Sequence, residues 1–404
     1  MSSLPVSPPL APAAASSRPL RVLMISDVFF PRINGVSTSI ETFRRDLGPE
    51  GIDVRLVAPA YGDTTPGDDP GLRRVPARRV VFDPEDRLMR WSCLVRTVDQ
   101  VLSAGIDLIH IQTPFAAHYA GVRAARHYGL PVLATYHTHF EEYFHCYLPY
   151  APRPALRAVA RALARSQCNA LDTVIVPSQA MAGRLADYGV RVPLHVLPTG
   201  IPTEQFRRGH RADFRQRHGI GENRPVALYV GRVAHEKNID FLIEAAHLAV
   251  RRVPNLLLLI AGEGPALPHL QTLVTTLGLH ENVSFVGYLD RSSELPDCYA
   301  AADLFVFASR TETQGLVLLE AMAAGLPVYA LAEMGARDIL APERGAVIAA
   351  DDVTEFAAGL AALITDRPRL ARLAREAPLY AEEWSAPTMS RRLAHLYRSL
   401  QPGD

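Results

Sequence analysis

Lysine is almost missing from this chain. Of its 42 basic side chains, 41 are arginine and one is Lys237, in 404 residues of zero formal net charge. An ammonium is a compact point charge and a guanidinium a planar fork. The lone lysine therefore marks either chance survival on a solvated surface or a tight anion site where arginine does not substitute. Cysteine is scarce as well. Cys93, Cys146, Cys168 and Cys298 are far apart with no C-x-x-C, which indicates neither a disulfide framework nor a zinc site and fits a reducing cytosol. No apolar run approaches the ~18 residues that span a bilayer. No block of interleaved basic and aromatic residues appears, which disfavours nucleic-acid binding. The first strand is not followed by G-x-G-x-x-G, so a dinucleotide fingerprint is absent.

What is present is an ordinary globular composition, 48% hydrophobic and 21% charged, with length enough for two domains. Residues 1–199 hold 21 arginines against 17 acidic side chains, and residues 200–404 hold 21 cations against 25 acids. A basic first half suits an anionic surface such as a membrane. Residues 1–19, rich in Pro, Ala and Ser, read as a disordered tail without the features of a signal peptide. Short apolar runs then alternate with amphipathic helical patterns: Arg21 to Ser26, Val54 to Ala58, Leu108 to Ile111, Val132 to Tyr136 and Thr173 to Val176. A second series comprises Val226 to Val230, Leu256 to Ala261, Val283 to Val286, Leu304 to Ala308 and Val328 to Ala330. This is the rhythm of βαβ units with buried parallel sheets. The expected fold class is α/β, with two Rossmann-like domains over 20–200 and 201–386 and a cleft between them. A terminal helix within 387–404 is expected to pack back on the cleft region.

Ligands of open α/β sheets bind beyond the carboxyl ends of the strands, and the unusual residues stand there. Ser26 to Val36 precedes a helix, where Gly35 would let backbone amides approach a phosphate; a plain βα turn is the competing reading. His137 and His139 end the fourth run. They suit polar contacts to a substrate or a structural histidine better than a metal site, for which no third ligand is evident. Gly231-Arg232 and Lys237 follow Val230, a fork and a point charge suited to a diphosphate. Gly262-Glu263-Gly264-Pro265 reads as a tight turn or a ligand-facing loop. The most specific segment is Thr311 to Val328, where Glu312 and Glu320 form E-x7-E. The pattern places Glu320 about two turns inside a helix on nearly the side of Glu312. Amides near Gly315 and Leu316 would form an anion cradle, and the two carboxylates can accept hydrogen bonds from hydroxyls.

Together VGR-x4-K, GEGP, TETQGLVLLEAMAAGLPV and the N-terminal FFPRINGV resemble the retaining nucleotide-sugar glycosyltransferases of family 4, which have the GT-B architecture. The resemblance runs from about Pro19 onward. It implies that Arg232 and Lys237 bind the donor diphosphate, helped by amides around Gly35, Gly315 and Leu316. By the same resemblance Glu312 holds the transferred sugar and Glu320 the ribose, and Val286-Gly287-Tyr288 meets the base; Gly262 is also placed at the donor. His137 corresponds to the active-site histidine near the sugar. Gln314, also placed at the donor, departs from the commoner E-x-F-G form. No D-x-D occurs, so a metal-independent transferase without cofactor is expected.

Tyr136 to His145 is similar to the Y-H-T-x-x-E-E-Y-x-H stretch of bacterial diacylglycerol glucosyltransferases, with lipid and phosphatidylinositol mannosyltransferases as relatives. The resemblance implies hexose transfer from a UDP- or GDP-sugar to a membrane lipid such as diacylglycerol, by a cytoplasmic enzyme peripheral on the inner membrane face. A glycan- or small-molecule-directed transferase, a sugar-nucleotide epimerase and a catalytically silent sensor are the alternatives. Arg153, Arg157, Arg161 and Arg165 recur every fourth residue on a predicted helix. They make either an interfacial helix on anionic lipid or a solvated arginine stripe.

Overall fold

A computed structural model describes residues 18–32, 34–62, 70–80, 86–137 and 153–401. The first sheet holds β1 (Leu20–Ile25), β2 (Ile52–Pro59), β3 (Leu72–Val75), β6 (Leu108–Ile111), β7 (Val132–Thr135), β8 (Thr173–Val176) and β9 (Leu194–Val196), in the order β3-β2-β1-β6-β7-β8-β9. β4 (Ala77–Arg79) and β5 (Arg87–Met89) form a separate antiparallel ribbon. The second sheet is β12-β11-β10-β13-β14-β15. Its strands are β10 (Val226–Val230), β11 (Leu257–Ala261), β12 (Val283–Gly287), β13 (Leu304–Phe307), β14 (Val328–Ala330) and β15 (Ala346–Ile348). All its pairings are parallel.

The strands β6, β8, β10, β11 and β13 are buried at every residue. Helices covering both faces of a parallel sheet explain why these runs are continuously apolar rather than alternating. The fold is the α/β class expected, two Rossmann-like sheets of the GT-B type. Five strands escaped the periodicity argument: β3, β9, β15 and the ribbon strands β4 and β5 are three or four residues long, at sheet edges or in the ribbon, and partly exposed. Cα packing groups the described residues up to Thr135 with Ala170–Thr173 and the segment from Ser390. Tyr136, His137, residues 153–169 and Val174–Met389 form the other compact unit.

In the first unit a buried relay fixes the terminal helix Ala386–Ser399 at its far end. Tyr397 Oη lies 2.6 Å from His110 Nδ1 on β6, and His110 Nε2 lies 2.7 Å from Thr135 Oγ1 at the end of β7. A second buried group, Asp27, follows β1. Its carboxylate accepts from Thr113 Oγ1 at 2.8 Å and from the Ala117 amide at 3.2 Å, capping the helix Ala116–Tyr128. Burial pushes this carboxyl up from 3.8 to about 6, against the pull of those hydrogen bonds.

Each sheet has one point at which strand order reverses, between β1 and β6 and between β10 and β13. Loops leaving such a pair diverge to opposite faces and leave a crevice at the carboxyl ends. The sequence motifs fall on these loops.

Candidate active site

In the second sheet the crevice is set by the loops after β10 and β13. After Val230 the chain makes a 3-10 turn over His235–Lys237, and Asn238, at φ 57°, ends it in the left-handed region. Asn238 Nδ2 donates to the Ala308 carbonyl at 3.2 Å, tying this loop to the end of β13. Lys237 is thereby carried across the crevice. Its Nζ donates to Glu312 Oε1 at 2.5 Å, with the two side chains 20% and 18% exposed. Arg232 is exposed and pairs with Glu236, four residues on. The two expected diphosphate cations thus differ: Lys237 is oriented by a carboxylate, and Arg232 lies out in solvent.

A Cβ at Gly262 would stand 1.9 Å from the Gly231 carbonyl oxygen, and φ is +137°. The glycine is required because the β11 loop packs backbone to backbone against the loop carrying Arg232, whose Val233 amide donates to the Glu263 carbonyl at 2.8 Å. Gly287 ends β12, and Tyr288 beside it is exposed, with its ring free to meet a flat ligand.

The E-x7-E segment departs from its expected geometry. Gly315, at φ +85°, delays the start of the helix, which spans Leu316–Ala323. Glu320 therefore sits one turn inside, not two, and Glu312 lies outside the helix, so helical spacing does not align them. Each carboxylate has its own partners. Glu320 is buried, accepts from Tyr299 Oη at 3.0 Å and pairs with Arg291. That hydrogen bond, the carboxylate's charge and above all burial push the Tyr299 phenol well above its usual range, so it stays a donor. Tyr299 and Arg291 were not foreseen; both lie outside any motif, in the loop and helix after β12. Gly315 and Leu316 stand at the N-terminus of Leu316–Ala323, where the first amides point out of the helix. Gln314 is buried, with both ends of its amide engaged on Thr199: Nε2 donates to the carbonyl at 2.7 Å and Oε1 accepts from the amide at 3.1 Å.

Gly35 opens the helix Gly35–Leu47, capped by Asn34 Oδ1 accepting from Ser37 N at 2.8 Å. His137 is half-buried, and desolvation lowers its pKa to about 4, so the imidazole is neutral near pH 7. His139 and residues 138–145 of the acceptor-like stretch lie outside the described residues. On the helix Arg153–Cys168, Arg161 and Arg165 are exposed, and Arg161 lies over the Tyr188 ring at 5.3 Å. Val159 is 56% exposed on the same helix, an apolar residue among the arginines. The side chains of Arg153 and Arg157 lie outside the described residues.

Two family models match the chain in tandem: Glycosyltransferase Family 4 over residues 33–205 and Glycosyl transferases group 1 over residues 210–379. A GDP-mannose-dependent alpha-mannosyltransferase of Mycobacterium tuberculosis is 31% identical over 374 residues, 89% of this chain and 92% of that protein. The chain belongs to glycosyltransferase family 4. It is a hexosyltransferase of this family. An alpha-monoglucosyldiacylglycerol synthase of Streptococcus pneumoniae is 32% identical over 318 residues, 77% of this chain and 71% of that protein. Among solved structures, the sucrose-phosphate synthase of Thermosynechococcus elongatus superposes with a TM-score of 0.72 at 23% identity, covering 94% of this chain and 99% of that one. That likeness establishes the GT-B fold. Among the described residues no helix is long and apolar enough to cross a membrane.

Proposed function

We propose that this family 4 enzyme is a retaining, metal-independent transferase. It moves glucose or mannose from a UDP- or GDP-sugar to a lipid acceptor such as diacylglycerol. The observation that carries the reading is the Lys237–Glu312 pair at the crevice between β10 and β13. An ammonium has three donors; one serves Glu312 and the others remain for phosphate oxygens. A guanidinium is bulkier and holds its donors in one plane, so it does not reproduce the compact contact of an ammonium set between Glu312 and a phosphate.

In the reaction the bond from the sugar C1 to the diphosphate oxygen breaks as the acceptor oxygen bonds to C1 on the same face. Positive charge develops at the sugar and negative charge on the departing diphosphate. Lys237 and Arg232 meet that negative charge, with the amides of Gly315 and Leu316. A diphosphate oxygen takes the acceptor proton. Glu312 orients the sugar hydroxyls, Glu320 the ribose, and neutral His137 offers a hydrogen bond without a competing charge. The lipid acceptor is supported by the synthase and mannosyltransferase relatives and by the Tyr136 to His145 stretch. Peripheral contact with the inner membrane face is supported by the exposed Arg161, Val159 and Arg165.

The test is a screen of UDP-glucose, GDP-mannose and their epimers against a membrane-lipid extract in EDTA, read by mass spectrometry. A hexosylated lipid is expected with one donor. Hexose on a soluble glycan alone would move the acceptor to that class, and altered donor without acceptor would make the protein an epimerase.

A further inference from the structure

Gln314 stands in the loop that carries Glu312, where a donor contact is the obvious role. Its surroundings argue for another. The side chain is 8% exposed, and its carboxamide forms a two-point clamp on the backbone of Thr199, pairing N–H with C=O in both directions. Thr199 belongs to the segment that leaves β9 toward the second sheet. The next residues are pinned from elsewhere: Ile201 N donates to the Trp384 carbonyl at 3.1 Å, and Ala386 N to the Ile201 carbonyl at 2.9 Å. The linker is therefore a fixed support. On its far side the loop is held by the Gly335 amide, which donates to the Glu312 carbonyl at 2.9 Å.

The loop from Glu312 to Gly315 thus hangs between two anchors, Gly335 behind Glu312 and the Thr199 backbone behind Gln314. Its left-handed Gly315 has no side chain to lock it. We propose that Gln314 is a positioning residue. Its carboxamide fixes the E-x7-E loop to the linker and so sets where Glu312 meets the transferred hexose. Only an amide of this length supplies a donor and an acceptor together. Glutamate loses the donor and faces the Thr199 carbonyl with a carboxylate. Methionine keeps the bulk and loses both hydrogen bonds.

The inference rests on the donor reading above, and its test separates the two. Gln314→Met and Gln314→Glu are compared with the unmodified enzyme for kcat and donor KM, for UDP and GDP affinity by calorimetry, and for thermal midpoint. Displacing the loop by a fraction of an ångström should cost kcat roughly 10- to 100-fold. Nucleoside-diphosphate affinity should stay within about threefold, since Lys237, Arg232 and Glu320 are untouched. A loss confined to KM would make Gln314 a direct sugar ligand and overturn the proposal. Unchanged kcat in both variants would overturn it as well. If one variant fails to fold, the other carries the comparison; if both do, the clamp is a folding element and the proposal is withdrawn. If the unmodified enzyme binds neither UDP nor GDP, the donor reading itself fails.

Discussion

Replacing Lys237 by alanine removes one ammonium from a site where a 2.5 Å pair with Glu312 orients it. The effect on folding should be small. Both side chains are about one-fifth exposed, and ion pairs that reach solvent contribute about 1 kcal/mol or less, so the midpoint should fall by roughly 2–4 °C. The effect on turnover should be large. A preorganised donor aimed at developing charge is worth roughly 2.7–4 kcal/mol, a loss of 10²–10³ in kcat. Release of nucleoside diphosphate, followed in a coupled assay beside a melting curve, measures both. Lys237→Arg is the sharper variant, because the charge remains and arginine is this chain's default cation. It should still lose at least tenfold, since the bulkier planar fork displaces the phosphate from the place the compact ammonium leaves for it beside Glu312. Near-normal turnover in Lys237→Arg would refute the reasoning and return the lone lysine to chance.

Three further outcomes follow from buried groups. Asp27 is raised by folding from 3.8 to about 6. The folded chain therefore holds a proton that the unfolded chain has lost between those values. Stability should decline by up to ~3 kcal/mol as pH rises from about 4 to 6, and urea titrations of Asp27→Asn should lack that slope. His137, lowered to about 4 by burial, should place no inflection near pH 6.5 in kcat/KM; an inflection there that His137→Gln removes would contradict its neutral role. Tyr397→Phe removes the buried hydroxyl 2.6 Å from His110 Nδ1 and should cost about 1–3 kcal/mol in denaturant unfolding.

Much of this was legible in the residues, for identifiable reasons. Buried parallel strands such as Val226–Val230 and Leu304–Phe307 are continuous apolar runs, so both sheets and their carboxyl ends could be read directly. The strands that were missed are short and partly exposed, where burial no longer dictates composition. Lys237 and Glu312 stand 75 residues apart in sequence, and their meeting follows from strand order, which periodicity does not reveal. Helical spacing misplaced Glu320 because the left-handed Gly315 shifts the helix start. Tyr299 and Arg291 carry no local signal at all. The need for partners around a buried Glu320 could have prompted a search for a donor, but its location required the fold. Gln314 was read as a donor ligand from its company; its amide pairing with Thr199, 115 residues away, depends on the fold.

The central claim is same-face hexosyl transfer driven by this chain's own cations. Its most direct test is the proton NMR spectrum of the glycosidic linkage made from an α-configured nucleotide sugar in EDTA. The account predicts an α-linked product at a rate unchanged by the chelator. A β-linked product, or activity that EDTA abolishes and a divalent metal restores, would contradict it.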